Sequence, residues 1–442
     1  MLKEIFAQAK SLNLTEGNVI KNIWALTLPM MLGNILQTSF NVVDMIWVGR
    51  LGAEAIAAVA MGGVVLMVVI TFIIGIATGT LALIARQIGA KDLKSADHVA
   101  MQSLIIGGVL SLVLAVMGII FARPILQALG AKAAVLELGT EYLKIILMGG
   151  LMMVYLFLAN AILRGAGDAL TPMFLMIAAT VLNIILDPLM IFGIGFPPMG
   201  VNGAALATVL SRGLAAVAGL YLLFQGRLGV RLHLSKIYVD FSTILRIIKI
   251  GFPNSIQMAL RSVVGLVLMT IVAGYGQFAV AAYGIGLRIF SVVLMPGFAL
   301  AGSAATLVGQ NLGANKLLRA ETSARSAAHF NSLMMGLAGI IFFVFSAKLV
   351  SVFSPNPDII RLGSKYLRIT SFGYIFIAQG LVLGRSLMGA GDTISPMLIA
   401  LLSLLGIQIP LALLLPSYRQ IGIEGIWWAI LFASVLQGLL TI

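Results

Sequence analysis

Long apolar runs follow one another along the whole chain, separated by short polar connections. A run of about 20 apolar residues crosses a bilayer as a helix, because a helix satisfies its own backbone where no water can. Twelve such runs are read at roughly 22–49, 55–85, 96–121, 140–163, 170–193, 200–224, 246–274, 279–309, 320–346, 363–385, 394–416 and 422–442. Only 10% of the 442 residues are charged, against about 25% in soluble domains, which is too few to cover a water-facing surface. The expected fold class is an all-α polytopic membrane protein of twelve transmembrane helices, with the lipid bilayer as its solvent.

The longest polar connection, residues 225–245, lies mid-chain. It predicts a cytoplasmic leader over 1–21, an N-terminal six-helix lobe over 22–224, a cytoplasmic inter-lobe linker over 225–245 and a C-terminal six-helix lobe over 246–442. The halves repeat. "RGAGDALTPM" (164–173) recurs as "MGAGDTISPM" (388–397), an offset of 224. The same offset pairs Pro29 with Pro253, Gly52 with Gly276, Gly89 with Gly313 and "GTEYLKI" with "GSKYLRI"; near the end it becomes 222, matching "GVNGAA" to "GIEGIW". Six spans per half is an even number, so both halves enter from the same side. That gives a parallel pseudo-two-fold repeat, about an axis along the membrane normal, as in many secondary transporters. Asp168 and Asp392, inside the repeated turns, read as caps of the helices that follow.

The net charge of +13 does not point to nucleic acid. Lys and Arg are scattered over short loops, where they set orientation. With the N-terminus inside, the inner loops hold sixteen of them and the outer side eight. Both termini are therefore expected in the cytoplasm, in a multi-pass cell-membrane protein. There is no cysteine, and His98, His233 and His329 lie far apart. Neither thiolate chemistry, a metal cluster nor a cofactor is expected. An intramembrane enzyme would need a nucleophile with its base, or a metal site. A channel would carry its charges as a ring, whereas the acidic cluster here occurs once.

Of fifteen acids, only Asp44, in "SFNVVDMIWVG", and Asp187, in "VLNIILDPLMIFG", lie clearly inside spans. An ionisable group at a helix centre costs about 2.5–3.5 kcal/mol on insertion scales, so it normally faces a cavity and works there. Gln37, Asn41 and Asp44 share a helix face, as do Asn183 and Asp187. The repeat supplies a control. The offset takes Asn41 to Gly265, Asp44 to Leu268, Asn160 to Gly384, Asn183 to Ile407 and Asp187 to Leu411. The scaffold is duplicated, but this polar set is not. Groups that only held the fold together would be needed twice, so the set reads as functional and N-terminal. The structural alternatives are an Asp44 paired to a neighbouring helix and an Asp187 serving a turn with Pro188. Tyr142 has a repeat partner, Tyr366, so an interfacial anchor weighs equally with a substrate contact.

These residues together resemble the multidrug and toxic compound extrusion (MATE) transporters, over nearly the whole chain. The resemblance rests on twelve spans in two lobes, the "LP" of the first span with an Asp fifteen residues on, "NIILDP" in the fifth, "GAALAT" in the sixth and the paired "GAGD" turns. It implies a monomeric secondary antiporter that exports small cationic or amphipathic compounds by alternating access, in exchange for H⁺ and/or Na⁺. In the branch with this N-lobe pattern, Asp44, Asn183 and Asp187 match the coupling-ion site, with Thr208 of "GAALAT" as a further member. Gln37, Asn41, Tyr142 and Asn160 would then lie at the substrate cavity, and Pro29 matches a proline whose helix bends on protonation. Another branch carries a Glu in the seventh span and an Asp in the tenth. Here Arg261 stands near the expected Glu and the tenth span has no acid, so coupling in the C-terminal lobe is not expected. The alternative of related fold is a flippase for lipid-linked oligosaccharides, whose cavity is strongly cationic. Among the C-lobe spans, Arg261 and Arg288 are the cations weighed for that role. A carboxylate with Asn and Thr oxygens suits Na⁺, and a desolvated carboxylate suits a proton, so the coupling ion stays open.

Overall fold

The computed structural model describes residues 13–193, 195, 197–226, 229–232, 238–418 and 421–442. Leader residues 1–12 and linker residues 227, 228 and 233–237, with His233, lie outside the described residues. Helices account for the described core, in the order α1 (Val19–Gly49), α2 (Ala53–Gly89), α3 (Leu93–Ala128), α4 (Ala133–Met148), α5 (Gly150–Gly165), α6 (Leu170–Phe192) and α7 (Gly200–Gln225) in the first half. The second half holds α8 (Phe241–Ala273), α9 (Gln277–Gly313), α10 (Leu317–Ser351), α11 (Pro357–Ser371), α12 (Tyr374–Gly389), α13 (Ile394–Leu401), α14 (Ile409–Leu414) and α15 (Glu424–Thr441). Ten spans are single helices long and apolar enough to cross a membrane, counting α13 to α14 as one. Two bent pairs bring the number to twelve: α4 with α5 at 49° and α11 with α12 at 55°.

Both bends fall inside spans read from the sequence, at 140–163 and 363–385. Their cause is local packing. At the α4–α5 break, a Cβ on Gly149 would lie 2.4 Å from Val209 of α7, so only glycine lets the two helices meet there. At the α11–α12 break, a Cβ on Gly373 would crowd Leu431 at 3.1 Å. Between α13 and α14 the chain runs as a π-helical turn, Leu402–Gln408. The matching stretch of α6 is ordinary α-helix.

The repeat survives as contacts, not only as letters. Tyr142 packs on Gly62, and Tyr366 packs on Gly286. Leu126 meets Gly139, and Val350 meets Gly363. The carbonyl of Leu81 faces Gly165, and that of Ala305 faces Gly389. Each contact is reproduced at the offset of 224. Small residues at these crossings let helices approach closely, which is how membrane helices associate without a hydrophobic driving force. The repeated turns behave as expected. Asp168 accepts the backbone N–H groups of Leu170 and Thr171, and Asp392 accepts that of Ser395.

The chain divides into two compact units, one holding Leu28–Phe252 and the other Leu14–Thr27 with Pro253–Ile442. Helices α1 and α8 therefore each contribute to both: α1 changes unit between Thr27 and Leu28, next to Pro29, and α8 between Phe252 and Pro253. Within the first unit, the start of α8 lies against α2: a Cβ on Gly79 would sit 2.3 Å from the Ile247 carbonyl oxygen, and one on Gly251 2.5 Å from that of Gly75. Within the second unit, the Thr27 and Ser303 hydroxyls hydrogen-bond at 2.9 Å. The offset carries Gly79 to Ser303 and Thr27 to Gly251. One crossing is built twice, by two glycines and then by two hydroxyls. The segment leading into α8 is tied to α3: Gln102 donates to the Tyr238 carbonyl and accepts from the Asp240 N–H, and His98 lies 3.0 Å from the Asp240 carboxylate. Hydrogen bonds from Thr243 and His98 hold the Asp240 carboxyl well below the usual carboxylate range.

Gly251→Val should lower the melting temperature of the purified protein in detergent by several degrees, because its Cβ meets backbone that cannot move aside, an overpacking cost of about 1–3 kcal/mol. Gly284→Ala, where a Cβ meets nothing within 4 Å, should leave it unchanged or raised. Equal melting temperatures for the two variants would show that the α2–α8 crossing does not matter.

Candidate functional site

Asn183 and Asp187 stand one turn apart on α6, and both are 0% exposed. The Asn183 amide donates to Asp187 Oδ1 at 3.0 Å. That leaves Asp187 Oδ2 and Asn183 Oδ1 buried and without a hydrogen-bond partner. An unpaired buried oxygen is costly, more so on a carboxylate. The pair is shaped to accept, not to donate.

Asp44 comes to the same place from α1. It lies within electrostatic reach of Asp187, and its Oδ1 is likewise buried and unpaired. The Thr208 side chain on α7 lies close enough to interact with the Asp44 carboxylate. Thr208 is placed by the small-residue start of that helix. There a Cβ on Gly203 would strike the Met190 carbonyl at 2.5 Å, so α7 and α6 pack almost backbone to backbone. Tyr142 of α4, buried on Gly62, is within electrostatic reach of both acids. An apolar cluster including Val48, Val59, Ile146, Ile191 and Val201 packs around the end of α1, the starts of α2 and α7 and the end of α6. Tyr142 is itself a member of that apolar cluster.

One member has no counterpart in the sequence reading. Arg212, one turn beyond Thr208 on α7, interacts electrostatically with Asp44 and Tyr142. Its guanidinium sits 4.8 Å from the ring centre of Phe40, which is buried on α1, a cation–π contact. The available signal was a lone Arg inside a span, four residues after Thr208. The site thus holds two carboxylates, one amide, one hydroxyl, one phenol and one guanidinium. No group of three or more His, Cys, Asp or Glu lies together among the described residues. The unpaired oxygens of Asp44, Asn183 and Asp187 suit a proton or a hard monovalent cation.

The other singled-out residues are placed separately. Gln37 is half-buried, Asn41 is exposed, and the Gln37 amide donates to Asn41 Oδ1 at 3.4 Å on the face of α1 that also bears Asp44. Asn160 is half-buried on α5 with its Oδ1 unpaired. Pro29 is buried within α1, which continues through it as helix. At the repeat positions of the two acids, Leu268 is 3% exposed in the apolar core of the second half, and Leu411 is partly buried against that core.

The MatE family profile matches residues 29–189 and 253–414, two segments that begin at the repeat-paired prolines. The probable multidrug resistance protein YoeA of Bacillus subtilis is 30% identical over 93% of this chain and 90% of its own length. A FAD transporter of Shewanella oneidensis is 29% identical over 96% and 93%. A crystal structure of a MATE in the bent conformation superposes with a TM-score of 0.90 at 28% identity, covering 96% of this chain and 94% of the other. Twelve spans in two six-helix halves, a profile matched in each half and full-length relatives of the same kind establish that this chain belongs to the MatE family of multidrug and toxic compound extrusion transporters.

Proposed function

We propose that the protein is an efflux antiporter that exports cationic or amphipathic compounds in exchange for H⁺ and/or Na⁺ by alternating access, with Asp44, Asn183, Asp187 and Thr208 as its coupling site. The observation that carries this reading is the pairing of two intramembrane acids from α1 and α6 at a place where the other half has two packed leucines. Each ionised carboxylate attracts a cation, whether drug or coupling ion, and two such guests compete for it. When a proton or Na⁺ neutralises the cluster, its hold on the drug is gone, and when drug arrives the ion is displaced. Arg212 moderates the contest by offsetting part of the negative charge. Gln37, Asn41, Tyr142 and Asn160 are the candidate substrate contacts, although the repeated Tyr142–Gly62 packing also gives Tyr142 a scaffolding role. Pro29 removes one hydrogen bond of the α1 ladder, which supports a hinge, as does the bent form of a related structure. We place both termini in the cytoplasm of a cell membrane, on the loop bias in Lys and Arg.

A second reading, export of an anionic amphipath, draws on the FAD transporter among the relatives and on the guanidiniums of the second half. A lipid-linked oligosaccharide flippase remains the alternative of related fold.

Asp44→Asn, which imitates the protonated acid, should insert in the membrane at parent level yet lose export of cationic drug, measured as dye efflux from cells. Parent-rate efflux with unchanged pH and Na⁺ dependence would sink the coupling role. Asn183→Ala and Asp187→Asn should each weaken ion-dependent efflux, and the double variant should cost less than the sum of the two, because the residues share one hydrogen bond; additive losses would assign them separate roles. The chain has no cysteine, so single cysteines report topology without background. Cysteines at Ser95 and Ser395 should react with a membrane-impermeant maleimide only after the cytoplasmic side is opened, and reaction in intact cells would reverse the orientation.

A further inference from the structure

The second unit holds a cavity of about 240 Å³ that the coupling site does not use. Arg261 of α8 lines it, with Gln408, Gln437 and the rings of Tyr283, Phe290 and Tyr366. Arg288 does not line it. The aromatic wall is set from behind: Trp427, fully buried, stacks on Tyr283 at 5.5 Å between ring centres and meets Tyr366 edge-on at 4.9 Å. Gln408 is the last residue of the π-helical turn, a feature that re-aims side chains and is frequent at functional sites.

The charge in this cavity is unbalanced. No carboxylate or hydrogen-bond partner meets Arg261 among the described residues, and the acids of this half stand in loops or near helix ends, with Glu321, Asp358 and Glu424 each paired to another cation. A second guanidinium, Arg385 of α12, lies within electrostatic reach of Arg261 and also lacks a carboxylate there. Two like charges near each other inside an apolar bundle are costly unless an anion joins them. The offset gives the contrast: Arg261 stands where the first half has Gln37, and Leu268 stands where it has Asp44. The two halves carry opposite charge on one scaffold.

We propose that this cavity is a second cargo subsite, which receives the carboxylate end of an aromatic amphipath. The planar guanidinium of Arg261 takes the carboxylate through paired hydrogen bonds. The Gln408 and Gln437 amides donate to its oxygens, and the ring lies on the tyrosines and Phe290. The volume is below the roughly 300–1,000 Å³ of a drug-sized pocket, so the site holds a one- or two-ring acid or one end of a larger compound. This deepens the antiporter reading, on which it rests for transport, but the binding step can be read alone.

The test is calorimetric titration of 1-naphthoate into the full chain in nanodiscs, with 1-naphthylmethylamine as the cationic control and benzoate, phosphate and chloride as competitors. The wild type should bind naphthoate. Arg261→Gln should weaken it at least about tenfold, the usual loss for a charge-assisted hydrogen bond, and Arg261→Lys should recover part. Asp44→Asn should leave naphthoate binding intact while losing export of cationic drug. Equal naphthoate affinity in Arg261→Gln and the wild type, or displacement by chloride or phosphate as readily as by benzoate, would overturn the subsite. Absence of naphthoate binding beside intact, ion-coupled drug export would overturn the subsite and leave the antiporter standing. Naphthoate binding without any ion-coupled export would overturn the antiporter reading alone.

Discussion

Charge is expensive where water is excluded, and this chain keeps very little of it there. That cost makes each intramembrane ionisable group informative. In the first half, two carboxylates share a site with one guanidinium, and three oxygens there have no hydrogen-bond partner among the described residues. In the second half, leucines occupy the acids' places and the guanidiniums of Arg261 and Arg385 meet no carboxylate among the described residues. Neither arrangement is the cheapest way to fill a helical bundle. An apolar core of the same shape was available, as the second half demonstrates at Leu268 and Leu411. On the proposed function, these charged groups serve guests and not the fold.

The scaffold that carries them is built for close approach. Gly165 and its repeat partner Gly389 bring helices nearly backbone to backbone, and Gly62 and Gly139 with their partners seat a side chain of a neighbouring helix, so position is set by van der Waals contact. The two helices that contribute to both compact units, α1 and α8, change unit within two residues of Pro29 and at Pro253. A missing N–H weakens the ladder at that point, and α1 carries Asp44 fifteen residues further on. On the proposed function, a change of charge at Asp44 would act on the helix that both units share.

Much of this was legible in the letters. Uninterrupted apolar runs locate the spans, and the 224-residue offset predicts contacts as well as helices, as the Tyr142–Gly62 and Tyr366–Gly286 pairs show. Asp44 and Asp187 stand out because charge is rare inside runs. The bends at Gly149 and Gly373 were hidden, because glycine is common in membrane helices whether or not they bend. Their cause is a partner side chain, Val209 or Leu431, far away in sequence. The π turn at Leu402–Gln408 leaves no residue-type signature. Arg212 was readable as a charge within a span, but its meaning depends on α1 and α7 meeting, which no local pattern states. Tyr142 stayed ambiguous in sequence. Its burial against Gly62, within reach of both acids, shows that packing and proximity to the site coexist.

The central claim is that ion and cargo compete for one acidic cluster. The direct measurement is ion release on binding. A cationic substrate is titrated into the purified protein in weakly buffered solution containing Na⁺, while protons are followed with an indicator dye and free Na⁺ with an ion-selective electrode. The account predicts stoichiometric release of H⁺ or Na⁺ from the wild type and none from the Asp44→Asn, Asp187→Asn double variant. Tight substrate binding with no release of either ion, or the same release from the double variant, would contradict it.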